Sequence, residues 1–282
     1  MTFRLNSCRL PKHVTLVACC LAIVIPVKNR VLAAATIEER AFIAACDGSE
    51  QRYVIVMPDD LQRDKPMSVL IALHGHGSDR WQFVRDERGE CRAVRDIAAA
   101  NRMLLVSPDY RAKTSWMGPQ AEADVVQIIE ATKKQFQVER VILCGGSMGG
   151  TGALTFAALH PDLIDAVVAL NGTANLVEYD RFLDAIAESY GGTKQQVPDE
   201  YRKRSAEFFP GRFTNMPLAA TTGGADEVVP PDSVLRLIAS LRGKNQHVLS
   251  LHRPTGGHST SYEDTKQALE FVLATTGQAS DR

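Results

Sequence analysis

Val141-Ile142-Leu143-Cys144-Gly145-Gly146-Ser147-Met148-Gly149-Gly150 is the stretch on which the fold turns. A β-branched apolar run leads into G-x-S-x-G, and a run poor in bulky side chains follows from Gly149 to Leu159. The order predicts a strand, a sharp turn and a helix, with Ser147 held in a strained conformation at the apex. Side chains on either side of such a turn would collide, and glycine at 145 and 149 removes them. The Met148 amide then lies at a helix N-terminus, where a developing oxyanion wants a donor. A phosphate-cradling loop is the competing reading, but G-x-x-x-x-G-K-[ST] is missing and no acidic ribose partner stands at suitable spacing.

On both sides of this turn, strand-like and helical runs alternate from Gln51 onward. Strands are expected at 53–56, 68–73, 103–106, 141–144, 164–170, 217–222 and 248–251. Helices are expected at 81–100, 121–136, 149–159, 233–241 and 262–274. The nearly continuous apolar strands suit a sheet covered on both faces. The class is therefore α/β, a mostly parallel central sheet flanked by helices. Residues 175–213 break the rhythm with helical pieces, Gly191-Gly192 and several aromatics. They are too few for a core of their own and read as an excursion over the active-site face of a domain spanning 36–282.

A serine hydroxyl needs a base, and the base needs an acceptor to orient it. After Ser147 the histidines are His160, His247, His252 and His258. His160 stands at a helix end, His247 precedes a strand and His252 ends one. His258, in Thr255-Gly256-Gly257-His258-Ser259-Thr260, lies in a loop past the last strand, where open parallel sheets bind ligands. For the acid, Asp226 in Gly223-Gly224-Ala225-Asp226-Glu227-Val228-Val229-Pro230 falls in a facing loop, with Glu227 and Asp232 as rivals. A second oxyanion donor is expected after strand 68–73, in His74-Gly75-His76-Gly77, from the backbone N–H of His76. His74 and His76 lack a third ligand nearby, so no metal site is expected.

Taken together and in order, Leu73-His74-Gly75-His76-Gly77, Gly145-Gly146-Ser147-Met148-Gly149-Gly150, Gly224-Ala225-Asp226-Glu227-Val228-Val229-Pro230 and Gly256-Gly257-His258 resemble the α/β-hydrolase superfamily. More narrowly they resemble secreted polyhydroxybutyrate-depolymerase and feruloyl or acetyl-xylan esterase-like serine hydrolases. The resemblance implies nucleophile Ser147, acid Asp226, base His258, no cofactor, and a carboxylic ester cleaved through an acyl-enzyme. A prolyl-oligopeptidase-like peptidase shares this order of residues, and a catalytically silent binding protein on the same fold is a third reading. Trp116, Met117 and Tyr110 follow strand 103–106 and are candidates to line the acyl or alcohol pocket. Packing of Trp116 on the sheet edge is the alternative.

Lys+Arg 32 against Asp+Glu 33 leaves a net charge of -1, so there is no basic footprint for nucleic acid or anionic lipid. A small-molecule or polymer-linked substrate fits better. Residues 1–35 read as an export signal: Arg4, Arg9 and Lys12, an apolar run from Val14 to Val27, then Ala33-Ala34-Ala35. The run is short for a membrane span, and the expectation is a secreted or periplasmic mature protein. Cys46, Cys91 and Cys144 would remain after cleavage. Cys144 ends a strand as a small buried thiol, and Cys46 with Cys91 is a conceivable pair in an oxidising compartment.

Overall fold

The computed structural model describes Thr2 and residues 35–62 and 64–279. Apart from Thr2 and Ala35, the stretch 1–35 read as an export signal lies outside the described residues. The strands are β1 (Ala35–Ile43), β2 (Glu50–Pro58), β3 (Met67–Leu73), β4 (Leu104–Pro108), β5 (Val138–Gly146), β6 (Ala166–Leu170), β7 (Leu218–Gly223) and β8 (Val248–Arg253). They form one sheet in the order β1-β2-β4-β3-β5-β6-β7-β8. Every neighbouring pair from β4 through β8 is parallel, and β1 and β2 are antiparallel additions at one edge. The sheet is thus mostly parallel, as expected.

The expected list of strands lacks β1. Its residues Glu38, Glu39 and Arg40 interrupt any apolar pattern, and its side chains are exposed or half-buried. Charges of this kind belong on an edge strand, where they deter further pairing. The expected helix at 81–100 is two helices, α1 (Gln82–Arg85) and α2 (Gly89–Ala100). The Asp86 carboxylate accepts the Arg88 amide at 2.9 Å, a local turn that competes with helix and breaks it. The remaining helices are α3 (Pro119–Gln135), α4 (Met148–Leu159), α5 (Leu183–Tyr190), α6 (Pro198–Lys203), α7 (Asp232–Leu241) and α8 (Tyr262–Ala279).

Alternation along the strands sends side chains to two cores. Val69, Ile71, Val141, Leu143 and Val167 face α3, α4 and α7, whereas Leu70, Ala72, Ile142, Cys144 and Val168 face α2 and α8. Both faces are covered, which is why these strands read as unbroken apolar runs. Cys46 is exposed while Cys91 and Cys144 are buried, and all three are free thiols, so the suggested Cys46–Cys91 pair does not form. Burial of Cys91 in the α2 core pushes its thiol up to about 12.

Residues 175–213 hold α5, α6 and two short 3-10 turns, Ala206–Phe208 and Pro210–Phe213. Arg204 ties this segment down. Its fully buried guanidinium donates to the Met117 carbonyl at 2.7 Å and pairs with Glu122 at 2.7 Å. Its own carbonyl accepts from Thr155 on α4 at 2.7 Å. Glu122 also takes His160, just past the end of α4, at 2.8 Å. Burial pushes the Glu122 carboxyl up, but the His160 hydrogen bond and the Arg204 charge outweigh it and hold it at about 2. A carboxyl held below its ordinary value stabilises the fold above that ordinary value and loses the contribution as pH falls toward about 2. Between pH 6 and pH 2.5, urea unfolding of Glu122→Gln is therefore expected to lose less stability than that of the unmodified chain.

Candidate active site

Ser147 sits between β5 and α4 with φ 56° and ψ −117°, a region that side-chain-bearing residues rarely occupy. The strain is held from both ends: the Ser147 amide donates to Leu170 on β6 at 2.8 Å, and its carbonyl accepts the Thr151 amide at 2.9 Å. A Cβ at Gly145 would collide with the Gly149 carbonyl, and one at Gly149 with the Leu73 carbonyl at the end of β3. The glycines are thus required by close approach of backbone, as the motif suggested.

His258, from the loop after β8, places Nε2 2.8 Å from Ser147 Oγ and Nδ1 2.7 Å from Asp226 Oδ2. Asp226, after β7, is buried, and its Oδ1 accepts the Val228 and Val229 amides at 2.9 and 2.8 Å. The rivals Glu227 and Asp232 are exposed. His252 bonds Thr222 instead. With Asp226 accepting at Nδ1, the proton belongs there, and Nε2 is left to accept from the serine hydroxyl.

Asn171, just past β6, is a site residue that sequence reasoning missed. Its amide donates to Asp226 Oδ2 at 3.4 Å and to the Gly257 carbonyl at 3.2 Å. Its Oδ1 accepts from Thr221 at 2.9 Å and Thr260 at 2.6 Å. One buried side chain thereby joins the acid loop to both sides of His258. Nothing local in Leu170-Asn171-Gly172 signals this. Asn171→Ala is expected to lower kcat about 10-fold to 100-fold through imidazole misplacement, with KM much less affected, as steady-state kinetics on an activated ester would record.

The His76 and Met148 amides have no acceptor among the described residues, whereas their neighbours Gly75 and Gly77 donate to Gln82 Oε1 (2.8 Å) and the Lys113 carbonyl (2.9 Å). Trp116 and Tyr110 do not line the cleft. Trp116 is fully buried and donates Nε1–H to His76 Nδ1 at 3.2 Å. Tyr110, also buried, donates its hydroxyl to the His74 carbonyl at 2.5 Å. Both support the loop after β3 from below, because an aromatic ring beside a strand end gains more from the core than from solvent. Burial keeps the His76 imidazole below its ordinary value, consistent with Nδ1 acting as an acceptor. The aromatic exposed beside it is Phe182, whose ring lies 4.4 Å from that of His76.

A cleft of about 210 Å³ opens on Ser147 and His258, bordered by His76, Arg88, Glu90 and Asn171. No cluster of three or more metal-ligating side chains occurs among the described residues. The His74 ring nitrogens face the carbonyls of Gly75 (2.8 Å) and Asp109 (3.0 Å).

A serine on a strained turn at the C-terminal edge of a mostly parallel sheet, within reach of an imidazole, defines a serine hydrolase of the α/β-hydrolase superfamily. The chain belongs to the prolyl oligopeptidase family, which matches residues 110–278. Among solved structures it is similar to FphF, a fluorophosphonate-binding serine hydrolase of Staphylococcus aureus, at 18% identity and TM-score 0.66, over 86% of this chain and 98% of that one. A ferulic acid esterase gives 18% identity and TM-score 0.64 over 87% and 98%. A puromycin hydrolase gives 20% identity and TM-score 0.69 over 88% of this chain but 40% of that one. No curated protein matches in sequence.

Proposed function

We propose that the protein cleaves a carboxylic ester through an acyl-enzyme, with Ser147 as nucleophile, His258 as base and Asp226 as the acid that orients it. The observation carrying this is the unbroken chain of contacts, 2.8 Å from Ser147 to His258 and 2.7 Å from His258 to Asp226. Ser147 Oγ attacks the carbonyl carbon as Nε2 takes its proton. The Met148 and His76 amides receive the oxyanion, and the new imidazolium returns the proton to the departing alcohol. Water, deprotonated by the same nitrogen, then releases the acid. Ester chemistry is supported by the near end-to-end overlap with a ferulic acid esterase. Export of the chain, inferred from residues 1–35, belongs to the same reading.

A peptidase is the second reading, favoured by membership of the prolyl oligopeptidase family. Amide cleavage needs stronger protonation of the leaving nitrogen, so the two differ in rate on matched substrates. 4-Nitrophenyl acetate and an aminoacyl 4-nitroanilide, assayed together, decide between them: faster turnover of the anilide would reject the ester assignment. A fluorophosphonate probe is expected to label Ser147, and absence of that adduct would leave a silent binding fold.

A further inference from the structure

Glu90 stands in the first turn of α2 and borders the cleft that holds Ser147 and His258. Its side chain is only 13% exposed. A Cβ on Gly146 would lie 3.7 Å from its Oε1, so the carboxylate rests against the residue preceding Ser147. An enclosed carboxylate ordinarily has a cation in contact. Here Arg88 Nη1 is 3.5 Å away, and that guanidinium is more than half exposed and already bonded to Asp86 at 2.8 Å. Across the same cleft stands His258, whose charge acts on the Glu90 carboxylate.

The groups around Glu90 are Asp86 and Arg88 from the turn before α2, Cys91 beside it on α2, Cys144 at the end of β5, and His258 from its loop. Burial pushes both thiols up, which keeps them neutral. Among these neighbours only His258 becomes charged and discharged during the proposed reaction.

We propose that Glu90 is a positioning residue: from the wall of the cleft it shares with His258, its negative charge favours the imidazolium that forms when Ser147 gives up its proton. The inference rests on His258 being the base. Asp226 fixes the ring at Nδ1, and Glu90 adds charge from the cleft without touching the reacting atoms. Burial raises the Glu90 carboxyl above its ordinary value, so this support fails at a less acidic pH than for a surface glutamate. A purely structural role, an acid in a first helical turn favoured by the helix dipole, would alter stability and leave the pH profile in place.

The test is kcat/KM for 4-nitrophenyl acetate from about pH 4 to about pH 9 for the unmodified chain, Glu90→Gln and Glu90→Asp, with melting curves alongside. Glu90→Gln keeps the size of the side chain and removes the charge. Its acid limb is expected to move to lower pH by about half a unit and its plateau to fall roughly 3-fold to 10-fold. Glu90→Asp restores the charge and is expected to return the limb most of the way, whatever its effect on melting. Coincident limbs for the Gln variant and the unmodified chain would overturn the proposal. Failure of the underlying reading looks different: the unmodified chain itself would show no Ser147-dependent hydrolysis, which sinks both.

Discussion

With Ser147 replaced by alanine, kcat/KM for 4-nitrophenyl acetate is expected to fall by about 10⁴-fold or more while the protein stays folded. The hydroxyl is the only group on the turn able to form the acyl bond, and His258 Nε2 stands 2.8 Å from it. What remains would come from the oxyanion donors and binding alone. Ser147→Gly sharpens the test because it separates chemistry from strain. At φ 56° a serine carries a backbone penalty that glycine lacks, so Ser147→Gly is expected to be equally inactive yet about 1 kcal/mol more stable in urea unfolding. An inactive variant with no gain in stability would mean that the turn is not strained. Retained activity in either variant would remove Ser147 from the chemistry.

Gly149→Ala is the second large effect, and it acts on folding. The added methyl would run into the carbonyls of Leu73 and His74, and both belong to backbone that the sheet and the loop after β3 hold in place. Neither side can retreat cheaply: α4 is buried from Met148 to Ala158, and Leu73 is paired in register with Gly145. Overpacking that forces backbone to move is expected to cost at least about 3 kcal/mol. For a chain of this size that lowers Tm by roughly 6–12 °C. Differential scanning calorimetry reads this directly, and a shift under about 2 °C would show that β3 and α4 are not in close contact. If folded protein is recovered, its activity should also fall, because the same movement displaces the Met148 and His76 amides relative to Ser147.

These expectations share an origin in the ends of parallel strands. Ser147 follows β5, Asn171 follows β6, Asp226 follows β7, His258 follows β8 and His76 follows β3, so one rim of the sheet presents every group in the proposed reaction. That rim is where a parallel sheet leaves unpaired backbone and loops free to vary. The Asn171 network closes it from the side: the acid loop and the His258 loop, already joined by the Ala225 amide donating to the Gly256 carbonyl at 2.9 Å, share one buried amide as well.

Local and periodic features are legible in the residues alone. Apolar runs marked the strands at 68–73 and 141–144, the glycines around Ser147 announced a crowded turn, and the order of Ser147, Asp226 and His258 singled out three side chains that the fold does bring together. Such features are legible because strand period and steric exclusion act between near neighbours. Where the pattern was interrupted by charge, as in β1, or by an aspartate turning on its own backbone, as at Asp86, the local reading faltered.

The remainder depends on contacts between segments far apart in the chain. Ser147 and His258 are 111 residues apart, and their meeting depends on strand order and loop path together. Trp116 and Tyr110 look like pocket residues from their place after a strand, yet packing turns both rings inward, where they brace the His76 loop. Asn171 and Glu90 carry no motif, because a side chain acquires such a role only when distant segments surround it. Burial makes an amide or a carboxylate matter, and burial is a property of the assembled fold.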